Sequence, residues 1–121
     1  MLGDQHGNVA HLFERDCSTQ RRNQKVIEEA PGPLIAREDA AKTAEHIAGI
    51  MRKLGYDNIG TVEMLLGADG SFNFLEMNTR LQVEHGVTEE VTGVDLVKAQ
   101  ICSAAGERLA DILPAKIEVK D

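Results

Sequence analysis

"NIGTVEMLLGADGSFNFLEM", Asn58–Met77, sets two apolar runs rich in β-branched and aromatic residues on either side of Gly-Ala-Asp-Gly. Strand-forming runs separated by a short glycine-bounded segment predict a β-hairpin with a four-residue turn at 67–70. Pairing Leu66 with Ser71 would then set Glu63 opposite Phe74 and Thr61 opposite Glu76. Side chains alternate faces along a strand, so Glu63 and Glu76 are expected on one face as diagonal neighbours, with Cα atoms ~7 Å apart. Asn78, two residues further on, extends that face.

Working outward, "NVAHLFERD", residues 8–16, predicts a strand after the turn-like "GDQHGN". "EEAPGPL" interrupts the chain through Pro31 and Pro33. Beyond it, Ala40, Ala44, Ile47, Met51 and Leu54 recur every three or four residues, and Gly55 follows where a helix ends. Asp95 is placed as the N-cap of a second helix carrying apolar Leu96, Val97, Ile101 and Ala104, with Gly106 as its stop. These elements predict an α+β fold, an antiparallel sheet packed on helices, and 121 residues suit one domain, 1–121.

Composition narrows the function. Against 13 Lys plus Arg stand 20 Asp plus Glu, a formal charge of -7. That sign disfavours nucleic acid as a partner. No run approaches the roughly 20 apolar residues of a membrane span, and a cytoplasmic protein is expected. Cys17 and Cys102 belong to no Cys-x-x-Cys pair and read as free buried thiols.

The chemistry concentrates in "FLEMNTRLQVEH", Phe74–His85. If the backbone stays extended past Glu76, then Asn78, Arg80, Gln82 and Glu84 continue one polar side while Met77, Thr79, Leu81 and Val83 occupy the other. Two carboxylates and an amide oxygen, from Glu63, Glu76 and Asn78, form a hard oxygen set suited to magnesium and poorly suited to zinc or copper. The commoner fate of such glutamates is a plain solvent-facing position on a half-exposed hairpin. Arg80 adds a planar fork that matches a carboxylate or bicarbonate, and Glu84 within reach of that anion could remove its proton. Activation of a small acid fits this arrangement.

"EMNTRLQVEH" together with "ERDCSTQRRNQKVIEEAP" resembles the biotin carboxylase family, the ATP-grasp component of biotin-dependent carboxylases. The resemblance, which also takes in "GTVEMLL" and "TGVDLVKAQI", runs nearly the whole chain. It implies a partial ATP-grasp domain whose parent enzyme forms carboxyphosphate from ATP and bicarbonate and passes the carboxyl group to biotin. Biotin would sit on a carrier domain, and a carboxyltransferase would complete the complex. By position, the resemblance implies that Glu63, Glu76 and Asn78 hold magnesium or manganese on the ATP phosphates. It places Gln20, Asn23 and Leu65 with Glu63 and Glu76 at the nucleotide. Lys25, Arg80, Gln82 and the backbone of Val83 are implied for bicarbonate, with Arg80 and Glu84 catalytic and Glu84 the base. The neighbouring basic cluster of Arg15, Arg21, Arg22 and Lys25 fits the same placement; alternatively the three arginines form a solvated patch facing Glu28 and Glu29.

Two positions depart from the family pattern. Asn23 stands where many members have histidine, which keeps a hydrogen-bonding group but loses a titratable one. Gly86 replaces the proline of "EHPVTE" and is expected to loosen a loop beside the base. The family's lid lysines and its later arginine for the biotin enolate have no counterpart among these residues. The chain is therefore expected to be a C-terminal portion of the ATP-grasp fold, inactive by itself. A carbamoyl-phosphate-synthetase-like ligase or a non-catalytic fold module are the alternatives.

Overall fold

A computed structural model describes residues 1–120. Three two-residue strands, β1 (Leu2–Gly3), β2 (Val9–Ala10) and β5 (Asn58–Ile59), form a sheet ordered β2-β1-β5 with antiparallel pairs. The strand predicted over residues 8–16 is thus real only at Val9 and Ala10. Beyond them the chain forms a single bridge between Asp16 and Glu29. Two short strands follow, β3 (Gln20–Arg21) and β4 (Gln24–Lys25), paired Gln20 with Lys25 and Arg21 with Gln24. Arg22 and Asn23 join them, both at positive φ, 53° and 61°. A two-residue hairpin turn of this hand needs left-handed backbone at both positions, and asparagine accepts it more readily than most residues.

The long helix α1 (Arg37–Leu54) forms as its apolar period requires, burying Ala40, Ala44, Ala48 and Met51. Gly55, left-handed at φ 69°, ends it, and its N–H reaches back to Arg52 O. α1 packs on one face of the three-stranded sheet through Val9, Ala48 and Met51. The other face, Leu2 and Ile59, is covered by Leu96 and Ala99 of α3 (Leu96–Ala104) and by Leu109 of α4 (Leu109–Ile112). Asp95 caps α3 as expected, accepting the Lys98 N–H. Its inward face, however, is Leu96, Ala99 and Ser103; Val97 and Ile101 are exposed. Leucine and alanine spaced by three seat against the sheet, whereas the β-branched pair projects outward.

The predicted hairpin exists as β6 (Thr61–Leu66) and β7 (Phe72–Asn78), but its register differs from the expectation. Gly67 bonds Ser71 across the end, N–H to O at 2.8 Å, and leaves a three-residue turn with Gly70 at φ 82°. A type I turn followed by a left-handed residue is a standard three-residue hairpin connection, and Asp69 fixes it by accepting from Ser71 N and Oγ. A bulge then inserts Leu75 opposite the Glu63/Met64 junction. The shorter turn and the bulge together move Glu76 directly opposite Glu63, not diagonal to it. No described helix is long and apolar enough to cross a membrane.

Candidate functional site

After Asn78 the backbone leaves the strand, so the expected extended run to Glu84 does not occur. A turn at 79–84 leads into an unforeseen helix, α2 (His85–Thr92), with Glu84 at its N-cap position and Gly93, φ 71°, at its end. Gly86 therefore lies in the first turn of a helix, not in a loop, and its φ is not positive. Alternation cannot explain why Gln82 and Glu84 lie near Glu63. The turn does, by bringing Gln82 to Glu63 directly and Glu84 to it through Lys25.

Lys25 is the centre of what results. Its Nζ donates to Glu63 Oε1 and to Glu84 Oε1, the latter at 2.9 Å, in a partly buried setting. Gln82 Nε2 donates to the same Glu63 oxygen at 3.2 Å. Burial opposes the charge on Lys25, but the bonds to Glu63 and Glu84 outweigh it and hold the ammonium above the usual lysine range. Glu63 is held below the ordinary carboxylate value first by that lysine, against the effect of burial. For Glu84, burial acts against the charge and the Lys25 hydrogen bond reverses it, so Glu84 also lies low. All three groups are ionised at neutral pH.

A second layer supports the first. Arg15 uses its whole fork: Nη2 donates to Gln82 Oε1 at 2.6 Å, Nη1 to Thr88 Oγ1 at 2.7 Å and Nε to Glu28 Oε1 at 3.2 Å. The Arg15 and Glu28 side chains are only 13% and 9% exposed. Arg15 is thus no part of a solvated basic patch, although it does pair with Glu28; Arg21 and Arg22 are exposed. Glu28 Oε2 is, among the described residues, the buried side-chain oxygen left without a partner. Sequence reasoning missed Thr88 and Glu28 as parts of the site. Only the local pattern "ERDCS" hinted at Arg15, since its partners are far along the chain.

Arg15, Lys25, Glu28, Glu63, Gln82 and Thr88 line a cleft of about 430 Å³ that also contains Gln20, Leu65, Arg80 and an apolar wall including Ile47, Val62, Met64 and Phe72, and Glu84 reaches its edge through Lys25. Leu65 is 58% exposed there. Arg80 turns its guanidinium toward Leu81 O and Asn78 Oδ1, at 3.2 and 3.5 Å. Val83 is almost wholly exposed, and Asn23 sits exposed at the tip of the β3–β4 turn. Glu63, Glu76 and Asn78 share one hairpin face, so two carboxylates and an amide can converge on one hard cation. Among the described residues no cluster of three or more His, Cys, Asp or Glu side chains could hold a metal. Both cysteines are free and half-buried.

Residues 1–112 match the family described as carbamoyl-phosphate synthase L chain, ATP binding domain. The chain is 58% identical over 109 residues to a biotin carboxylase of Allochromatium vinosum, covering 90% of this chain and 24% of that protein. It is 55% identical over 109 residues to biotin carboxylase 2 of Bacillus subtilis, with the same coverage. Among solved structures, the biotin carboxylase domain of Hydrogenobacter thermophilus 2-oxoglutarate carboxylase, in complex with MgADP, ADP and bicarbonate, superposes with a TM-score of 0.92 at 49% identity. That match covers 98% of this chain and 26% of the other. The chain spans about a quarter of the length of the biotin carboxylases it matches. It belongs to the carbamoyl-phosphate synthase L chain ATP-binding domain family, as a segment of the biotin carboxylase ATP-grasp fold.

Proposed function

We propose that the chain is the part of a biotin carboxylase that holds the magnesium nucleotide and bicarbonate, in an enzyme that uses ATP and bicarbonate to carboxylate carrier-bound biotin. A biotin carrier domain and a carboxyltransferase are its partners in this proposal. The observation that carries it is Lys25 bonded at once to Glu63 and to Glu84, which joins the proposed metal-side acid to the proposed base.

Magnesium or manganese would take Glu63, Glu76 and Asn78, and when bound would neutralise phosphate charge on ATP. Gln20, Asn23 and the apolar Leu65 wall are assigned to the nucleotide. Lys25, Arg80, Gln82 and the Val83 backbone hold bicarbonate, supplying cationic and amide donors to its oxygens. Glu84, ionised beside Lys25, accepts the bicarbonate proton, and the electron pair of that O–H bond stays on the oxygen that becomes the nucleophile.

Titrating the ¹⁵N-labelled chain separately with sodium bicarbonate and with MgADP tests the assignment. Bicarbonate is expected to move Lys25, Arg80, Gln82 and Glu84, and MgADP to move Glu63, Leu65 and Glu76. Shifts confined to other residues would reduce the chain to a fold module without the chemistry.

A further inference from the structure

We infer that Arg15 is a positioning residue that locks the Gln82 side-chain amide with its NH2 group turned into the cleft, so that this group is a donor to the bound anion. The inference rests on the proposed bicarbonate site but concerns a residue outside it.

Arginine has five donors and no acceptor. The Gln82 atom that faces Arg15 Nη2 at 2.6 Å must therefore be the carbonyl oxygen, which removes the usual ambiguity of a glutamine amide. The amide nitrogen is then on the opposite side, where Glu63 Oε1 accepts one of its hydrogens at 3.2 Å. Its second hydrogen is left for the cleft that Gln82 lines. Flipped, Gln82 would turn its carbonyl oxygen toward the Glu63 carboxylate and toward any anion there, and two acceptors repel. Gln82 itself is 4% exposed, so solvent offers no alternative partner of comparable reach.

The fork also explains why lysine would not serve. Arg15 engages three elements together: Gln82 in the turn, Thr88 on α2, and Glu28 after β4. Thr88 and Glu28 fix the plane of the guanidinium, and that plane fixes the direction of the bond to Gln82. A lysine at this position could keep the charge opposite Glu28 but could not present a rigid fork to the other two.

Arg15→Lys is the deciding variant, because it keeps a counter-charge for the buried Glu28, whereas Arg15→Met would strand that carboxylate. If a second variant is needed for folding, Arg15→Met with Glu28→Gln removes both charges together. In the full chain, the heteronuclear NOE of the Gln82 side-chain NH2 is expected to match the rigid backbone in the wild type and to fall sharply in Arg15→Lys, at a melting temperature within a few degrees. Bicarbonate affinity, read by the same NMR titration, is expected to drop about tenfold, the loss of one oriented charge-assisted bond. MgADP affinity is expected to stay the same. A Gln82 amide as rigid in Arg15→Lys as in the wild type overturns the inference, as does unchanged bicarbonate affinity. A wild-type chain with a rigid Gln82 that binds no bicarbonate overturns the functional proposal instead, and leaves the locking of the amide supported.

Discussion

Lys25→Met removes the cation bonded to both Glu63 and Glu84, and the structure sets the size of the consequence. Lys25 Nζ is 2.9 Å from Glu84 Oε1 and closer still to Glu63 Oε1, so those two oxygens lie within about 6 Å of each other. Their side chains are 17% and 19% exposed. At an effective dielectric of about 20, two negative charges at ~6 Å repel by about 3 kcal/mol, and partial solvation and rearrangement bring the expected net loss to about 2 kcal/mol. For a domain of this size that corresponds to a drop in Tm of roughly 6 to 12 °C. In the wild type, Glu63 and Glu84 titrate below their ordinary value of 4.5, so their contribution is present above 4.5 and is lost as pH falls through the lower folded values. Lys25 titrates above 10.5, so its contribution is present below 10.5 and is lost as pH rises through the folded value. The deficit of Lys25→Met is therefore largest at neutral pH and shrinks as pH falls toward and below 4.5: without the lysine, burial and mutual repulsion raise both carboxyls, so protonation relieves the variant before it costs the wild type. Thermal melts followed by circular dichroism across that window measure it, with Lys25→Met/Glu84→Gln as a control expected to recover most of the loss. A deficit that is independent of pH and unrelieved in the double variant would show that packing of the lysine stem matters, and would refute the electrostatic reasoning.

Asp4 is 2% exposed and accepts from His6 N, Asn8 N, Asn8 Nδ2 and Leu109 N, tying the first turn to α4. Burial opposes its charge, but these donors prevail and hold it well below its ordinary 3.8, so its contribution is present above 3.8 and fades as pH falls through the folded value. Asp4→Ala is expected to cost about 3 kcal/mol at neutral pH in a denaturant melt, because it leaves buried donors unmet. Gly86 lies in the first turn of α2 with open space where a Cβ would be, so Gly86→Ala is expected to stabilise by about 0.5 to 1 kcal/mol in the same assay. Magnesium without nucleotide should bind weakly, on the order of millimolar, since two carboxylates alone hold an ion that dehydrates reluctantly; the amides of Glu63, Glu76 and Asn78 should report it on titration.

The parts of the fold that local pattern dictates were readable. An 18-residue apolar stripe with a terminal glycine gives α1, Asp95 gives the start of α3, and the two runs around 67–70 give the hairpin. Strands of two residues carry no period, so β1 and its short local pair with β2 left no pattern to read, and the pairing of β1 with β5 is set by contacts across some fifty residues that no local pattern encodes. The register was not readable for a related reason: the expected one already pairs Val62 with Leu75 and Leu65 with Phe72, while the observed one pairs Val62 with Met77, Met64 with Phe74 and Leu66 with Phe72; the turn closure at Gly67 and Ser71 makes the first shift and the bulge at Leu75 the second. In α2, "HGVTEEVT" has glycine, two valines and two threonines, poor helix formers, and Glu84 at the N-cap position makes no side-chain cap bond. Tertiary support therefore outweighs propensity there. The acids and amides of the site were legible as residue types, while their convergence on Lys25 depends on the turn at 79–84.

The most direct test of the account is to replace the matching segment of the Allochromatium vinosum biotin carboxylase, 58% identical over 109 residues, with this chain and to measure bicarbonate-dependent, biotin-stimulated ATP cleavage. Turnover within about tenfold of the unmodified enzyme is expected. Glu84→Gln in that chimera is expected to lower turnover on the order of 10²-fold or more with MgADP affinity little changed, since a general base is lost and the nucleotide site is kept. A folded chimera that binds MgADP but is inactive, or a Glu84→Gln form that retains full turnover, would contradict the proposed function.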